Sequence, residues 1–131
     1  MGAVWPGAAR PPATAPPLSP PWTDLAQEAG QPLGSAVELQ GLRLGPISLL
    51  GAPLEIFRAI KEDVKREARS QVTLVLGLTN GDIGYAPDRE TAAKGGYAVD
   101  TVPLIVGELP FRDIHTELVR ELLLVEADLR P

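Results

Sequence analysis

The chain has 131 residues, a net charge of −5 and a pI near 4.8, with 44% apolar residues, no cysteine and one histidine. Its length supports one domain with a modest core, and its acidic balance lacks the clustered cations that bind phosphate backbones, so no nucleic-acid partner is expected. Without cysteine there are no disulfides, thiol nucleophiles or thiolate metal sites, and no apolar run reaches the roughly 20 residues that span a bilayer, so no transmembrane segment is expected.

Residues 1–34 read as a disordered arm. Pro6, Pro11, Pro12, Pro16, Pro17, Pro20 and Pro21, interleaved with Ala, Ser and Thr, remove backbone donors and favour extended conformations. They also interrupt every apolar stretch that could serve as the core of a secretory signal, so no export signal is assigned. Within the arm, Thr23 to Ala29 allows a short helix capped by Thr23 and stopped by Gly30.

Residues 35–131 carry the folded domain. Val37, Leu39, Leu42 and Leu44 alternate with Glu38, Gln40 and Arg43, and Gly45-Pro46 turns the chain into Ile47 to Leu50, which predicts a β-hairpin. Pro53 suits the first position of a helix, and Phe57, Ile60 and Val64 recur at helical spacing as far as Ala68. Val72 to Leu76 predicts a strand buried on both faces. A loop rich in special residues follows, Gly77 to Pro87, and then Asp88 caps a brief helix that ends at Gly95-Gly96. Tyr97 to Val106 reads as an edge or irregular strand because of Pro103. Asp113 caps a last helix from Ile114 to Leu129, with Ile114, Leu118, Leu122 and Val125 as its apolar stripe. The predicted class is α+β or α/β, a small mixed sheet packed against two amphipathic helices.

Few residues carry chemistry unaided. His115 stands in the first turn of the last helix beside Asp113 and Glu117 without a nucleophile or metal partner in sequence, so a structural or surface role is the simpler reading. Gly77, Gly81 and Gly84 lack the Lys-Ser/Thr that completes a phosphate loop. Lys61, Lys65, Arg66 and Arg69 share a helix with Glu62, Asp63 and Glu67, the pattern of a solvated mixed-charge face. Glu55, placed by this reading in the first turn of a helix, is held ionised by the helix dipole. Tyr85 is either a packing tyrosine or a site residue, and Asp82 either pins its turn or joins that site.

The motifs Gly51-Ala52-Pro53-Leu54-Glu55-Ile56-Phe57, Asn80-Gly81-Asp82-Ile83-Gly84-Tyr85-Ala86-Pro87 and Gly95-Gly96-Tyr97, separated by a helix and an apolar strand, follow in an order that resembles the end of the catalytic domain of the neutral/alkaline ceramidase family. Its members carry a Gly-x-Pro-Gly-Glu-x-Phe turn, an Asn-containing loop ending Gly-Tyr-x-Pro, and Gly-Gly-Tyr. The resemblance covers residues 37 to 129. It implies a zinc-dependent amidase acting on N-acyl sphingolipids, with zinc held by two histidines, the turn glutamate and a tyrosine of the later loop. Glu55 matches the glutamate, and either Tyr85 or the position of Asp82 matches the tyrosine.

Two departures qualify the match. Leu54 stands where the family has glycine, a disfavoured residue if the turn needs positive φ, and the two histidine ligands lie upstream of the matched region, where this chain has none. Glu55, Tyr85 and Asp82 alone make a weak zinc site. The expectation is therefore the C-terminal portion of a ceramidase-like domain, inactive alone, not binding zinc tightly and paired with a complementary chain that carries the N-terminal half. The alternative is a small noncatalytic interaction or homo-oligomeric domain.

Overall fold

The computed structural model describes residues 2–4, 36–106, 111 and 113–129, and shows an α+β fold. Three strands form the central mixed sheet: β3 (Gln40–Leu44), β4 (Ile47–Gly51) and β6 (Val72–Leu76), in the order β3-β4-β6. The predicted hairpin is present, with Leu44 opposite Ile47 across a two-residue turn. Gly45 takes φ 58° at the first central position, a conformation that a residue with a Cβ reaches only at a cost. β4 and β6 are parallel, in register from Ile47↔Val72 to Gly51↔Leu76, and helix α1 (Arg58–Glu67) lies on the connection between them.

β1 (Gly2–Val4) pairs antiparallel with β2 (Ala36–Glu38), so the first residues of the expected disordered arm add a strand. Residues 5–35, including the short helix expected at Thr23–Ala29, lie outside the described residues.

The expected helix start is displaced. The helix begins at Arg58, not Pro53, and Glu55–Ile56 form a short strand, β5, parallel to β7 (Tyr85–Ala86). Backbone pairing explains the shift: Glu55 and Phe57 donate N–H groups to Gly84 and Ala86, and the carbonyl of Leu54 accepts from Leu78, which holds this segment extended. Glu55 is therefore not a first-turn helical residue, and the helix-dipole account of its ionisation does not apply. Leu54 is fully buried, and positive φ at non-glycine positions occurs at Leu78 and Asn80 instead.

Helix α2 (Arg89–Lys94) is capped as predicted, the Asp88 carboxylate accepting from the Thr91 N–H, and Gly95 ends it at φ 76°. The expected strand at Tyr97–Val106 is instead a π-helical turn (Tyr97–Thr101) running into α3 (Val102–Val106). Pro103 falls in the first turn of α3, directly after the π-helical turn. Helix α4 (Ile114–Asp128) follows its predicted cap, with the Asp113 carboxylate accepting from the Thr116 N–H.

Both long helices pack on one face of the sheet. Leu50 and Val75 point inward from the strands to meet Ile60 and Val64 of α1 and Ile114, Leu118 and Leu122 of α4. Gly41 gives α4 room to approach, since a Cβ there would lie 2.5 Å from Val125. A polar line crosses this core: Ser48 Oγ lies 2.6 Å from Ser70 Oγ, which donates to Glu126 on α4 at 2.6 Å. Among the described residues the opposite face carries no such cover. Val72, Leu74 and Leu76 are 46%, 44% and 42% exposed, so β6 is buried on one face rather than the two expected.

Replacing Leu118, fully buried on α4, by Ala is expected to cost about 2–5 kcal/mol. Leu124→Ala on the exposed side of the same helix should stay within about 0.5 kcal/mol. Urea denaturation of both variants checks this, and equal losses would contradict the packing described.

Candidate functional site

The segment after β4 is clamped from both sides. On one side Ala52 N–H donates to the Leu76 carbonyl, and Leu78 and Thr79 donate to Leu54 and Ala52. On the other, Ile83 donates to Pro53, while Glu55 and Phe57 donate to Gly84 and Ala86. The approach is close enough that a Cβ on Gly77 would lie 2.7 Å from the Leu54 carbonyl oxygen, so this position demands glycine on spatial grounds.

This clamp sets Glu55 directly opposite Tyr85 in the parallel pair. The two residues, from different motifs of the sequence, line one open cleft of about 350 Å³ together with Ile56, Phe57, Lys61, Gly77 and Leu78. The Phe57 ring stands edge-on to Tyr85 at a centroid distance of 6.0 Å, and Tyr97 approaches Tyr85 from the Gly95-Gly96 side at 6.4 Å. The negative charge of Glu55 pushes the Tyr85 phenol above its ordinary value of 10.0, with partial burial adding to the effect. Tyr85 therefore stays protonated at neutral pH.

Asp82 has a local task. Its Oδ1 accepts from the Gly84 N–H at 3.0 Å, which pins the turn that delivers Tyr85. Its charge also contributes, as the smallest of the causes, to the rise at Tyr85.

His115 belongs to a different part of the fold. It is buried between α1 and α4, with Nε2 2.8 Å from Asp63 Oδ2 and Nδ1 accepting from the Arg89 backbone N–H at 3.2 Å. With Nδ1 accepting from a backbone N–H, Nε2 is the nitrogen that donates to Asp63. That bond, together with Arg66 at 2.7 Å, holds the Asp63 carboxyl below its ordinary range. Asp63, fifty-two positions away from His115, was not recoverable as its partner from sequence spacing. Phe57 and Leu78 were missed as cleft residues too, although Phe57 stands within the same turn motif as Glu55.

The ceramidase resemblance implies zinc. The cleft offers one carboxylate and one phenol held in its protonated form, and the single imidazole is engaged elsewhere. Among the described residues no three His, Asp or Glu side chains gather around a common point. Protein zinc sites use three or four ligands, so the residues present do not fit the ion.

No family model, no curated protein and no solved structure matches this chain. Among the described residues no helix is long and apolar enough to cross a membrane.

Glu55→Gln is expected to lower the Tyr85 pKa, because removing the neighbouring negative charge makes the phenolate easier to form. Ultraviolet titration in a Tyr97→Phe background isolates this phenol, since the chain has two tyrosines. An unchanged midpoint would mean that the two side chains do not interact.

The depressed Asp63 carboxyl makes a second prediction. A group whose folded pKa lies below its unfolded value stabilises the fold above about pH 3.8 and loses that contribution as the pH falls through the folded value. Wild type should therefore melt above Asp63→Asn near neutrality, with the gap closing in acid. A gap that is constant with pH would remove the linkage.

Proposed function

We propose that this chain carries part of a neutral ceramidase-like amidase site, with Glu55 and Tyr85 as its contribution, and that the histidines come from another polypeptide segment. The observation that supports this reading is the juxtaposition of Glu55 and Tyr85 in register at one cleft. Two motifs that resemble consecutive elements of one family site thus converge in space. Among the three candidates, Glu55 and Tyr85 share the cleft, while Asp82 accepts a hydrogen bond within the loop behind them. The substrate class implied is an N-acyl sphingolipid, whose amide a complete site would hydrolyse.

The donor set defines what the chain does alone. With two oxygen donors and no available imidazole, it neither binds zinc tightly nor releases fatty acid from a lipid amide. A complementary chain with paired histidines is therefore part of the reading.

A second reading has its own support. The uncovered apolar face of the sheet favours a noncatalytic interaction or homo-oligomeric domain, in which the cleft is a by-product of the backbone clamp.

The coding sequence adjoining this chain is expected to specify a segment with paired histidines, and its co-expression with this chain should yield zinc-dependent release of a fluorescent N-acyl sphingosine. Glu55→Ala should abolish that release, and the chain alone should show none. Turnover by the isolated chain that depends on Glu55 would make it a minimal amidase instead. Absence of such a segment, or turnover indifferent to both Glu55→Ala and Tyr85→Phe, would overturn the amidase reading.

A further inference from the structure

We propose that the outer face of the β3-β4-β6 sheet is the contact surface of a homodimer, packed against the same face of a second copy. The register places Leu42, Leu49 and Leu74 in one row across the three strands and Leu44, Ile47 and Val72 in the next. Strand alternation points these six side chains away from α1 and α4. Leu76 extends the face at one end.

The extent of this face favours a partner. Leu42, Leu44, Val72, Leu74 and Leu76 are each about half exposed and Ile47 and Leu49 partly so, which leaves on the order of 500 Å² of apolar surface, in the upper range for the largest patch on a monomer. Two such faces bring together on the order of 1,000 Å² before their rims contribute, close to the roughly 1,000–1,200 Å² at which specific interfaces begin.

The chemistry of the face favours a second copy as that partner. The outward positions of its three strands hold no charged residue, and Glu38 borders it only at the Gly51 end, so the central rows of two copies meet without like charges opposed even though each chain carries a net charge of −5. A two-fold contact uses one patch twice and needs no second complementary surface. Face-to-face sheets pack about 10 Å apart with interleaved side chains. At the Gly51 end of the face, where the Thr79 side chain stands in the place a Gly51 Cβ would take, an open hollow of about 500 Å³ is bordered by Leu42, Leu49 and Leu76 and by the polar Glu38, Gln40 and Thr79. The proposal rests on this face alone, so zinc and amide assays can fail without affecting it.

Sedimentation velocity on the full chain at micromolar concentration tests it. Wild type is expected at twice the 13.9 kDa chain mass, and Leu74→Lys at the single mass. Leu124→Lys, on the exposed side of α4, should remain dimeric. Circular dichroism establishes that each variant is folded. Leu42→Gln, on the edge strand, supplies a milder second variant that should weaken the dimer if Leu74→Lys does not fold. Monomeric wild type overturns the proposal, including the case in which hydrogen exchange shows the face shielded by residues 5–35 or by another polypeptide. A dimer insensitive to Leu74→Lys and Leu42→Gln, or one lost with Leu124→Lys, overturns it as well.

Discussion

The candidate site depends on one backbone arrangement, the two-sided clamp on residues 52–57. Their peptide groups are paired with residues 76–79 on one edge and 83–86 on the other, which keeps Glu55 extended and opposite Tyr85. Buried peptide groups must find partners, and here the partners come from the two halves of a single glycine loop. Gly77 permits the close approach on one edge, and the Asp82 carboxylate fixes the bend that returns the chain along the other. The unusual composition of that loop is thus a backbone requirement before it is a chemical one.

The clamp also explains the start of α1. A helix beginning at Pro53 would have withdrawn Glu55 and Phe57 from the pairing with Gly84 and Ala86, and the tertiary hydrogen bonds outweigh the preference of proline for a first helical turn. Glu55 is consequently governed by its neighbours across the sheet rather than by a helix end. Its charge acts on Tyr85, and the pair leaves the phenol protonated.

Away from the cleft, the helical layer is fixed to the sheet by apolar packing and by two polar contacts that cross it. Glu126 is almost fully buried and accepts from Ser70, and His115 donates to Asp63. Each joins residues distant in sequence and gives α4 a defined rotation over α1 and β4. All of this lies on one side of the sheet. The other side keeps its leucines and valines exposed, and this asymmetry links the fold to an association reading that the cleft does not depend on.

The elements that could be read from the sequence were those specified locally. The hairpin at Gly45-Pro46, the caps at Asp88 and Asp113 and the stripe of Ile114, Leu118 and Leu122 each depend on side chains and turns within a few residues. The resemblance that singled out Glu55, Asp82 and Tyr85 drew on motif order, and the meeting of Glu55 with Tyr85 followed from strand pairing that no local pattern encodes. The same limit applies to the rest. An apolar strand such as Val72–Leu76 has one pattern whether one face or two are covered, and Tyr97–Val106 could extend or coil until packing chose the helix. Sequence determined the turns, caps and helix faces because their free energies are local. Tertiary structure decided where α1 starts, which face of the sheet is left open and which partner His115 takes, because those outcomes depend on hydrogen bonds and contacts between residues far apart in the chain.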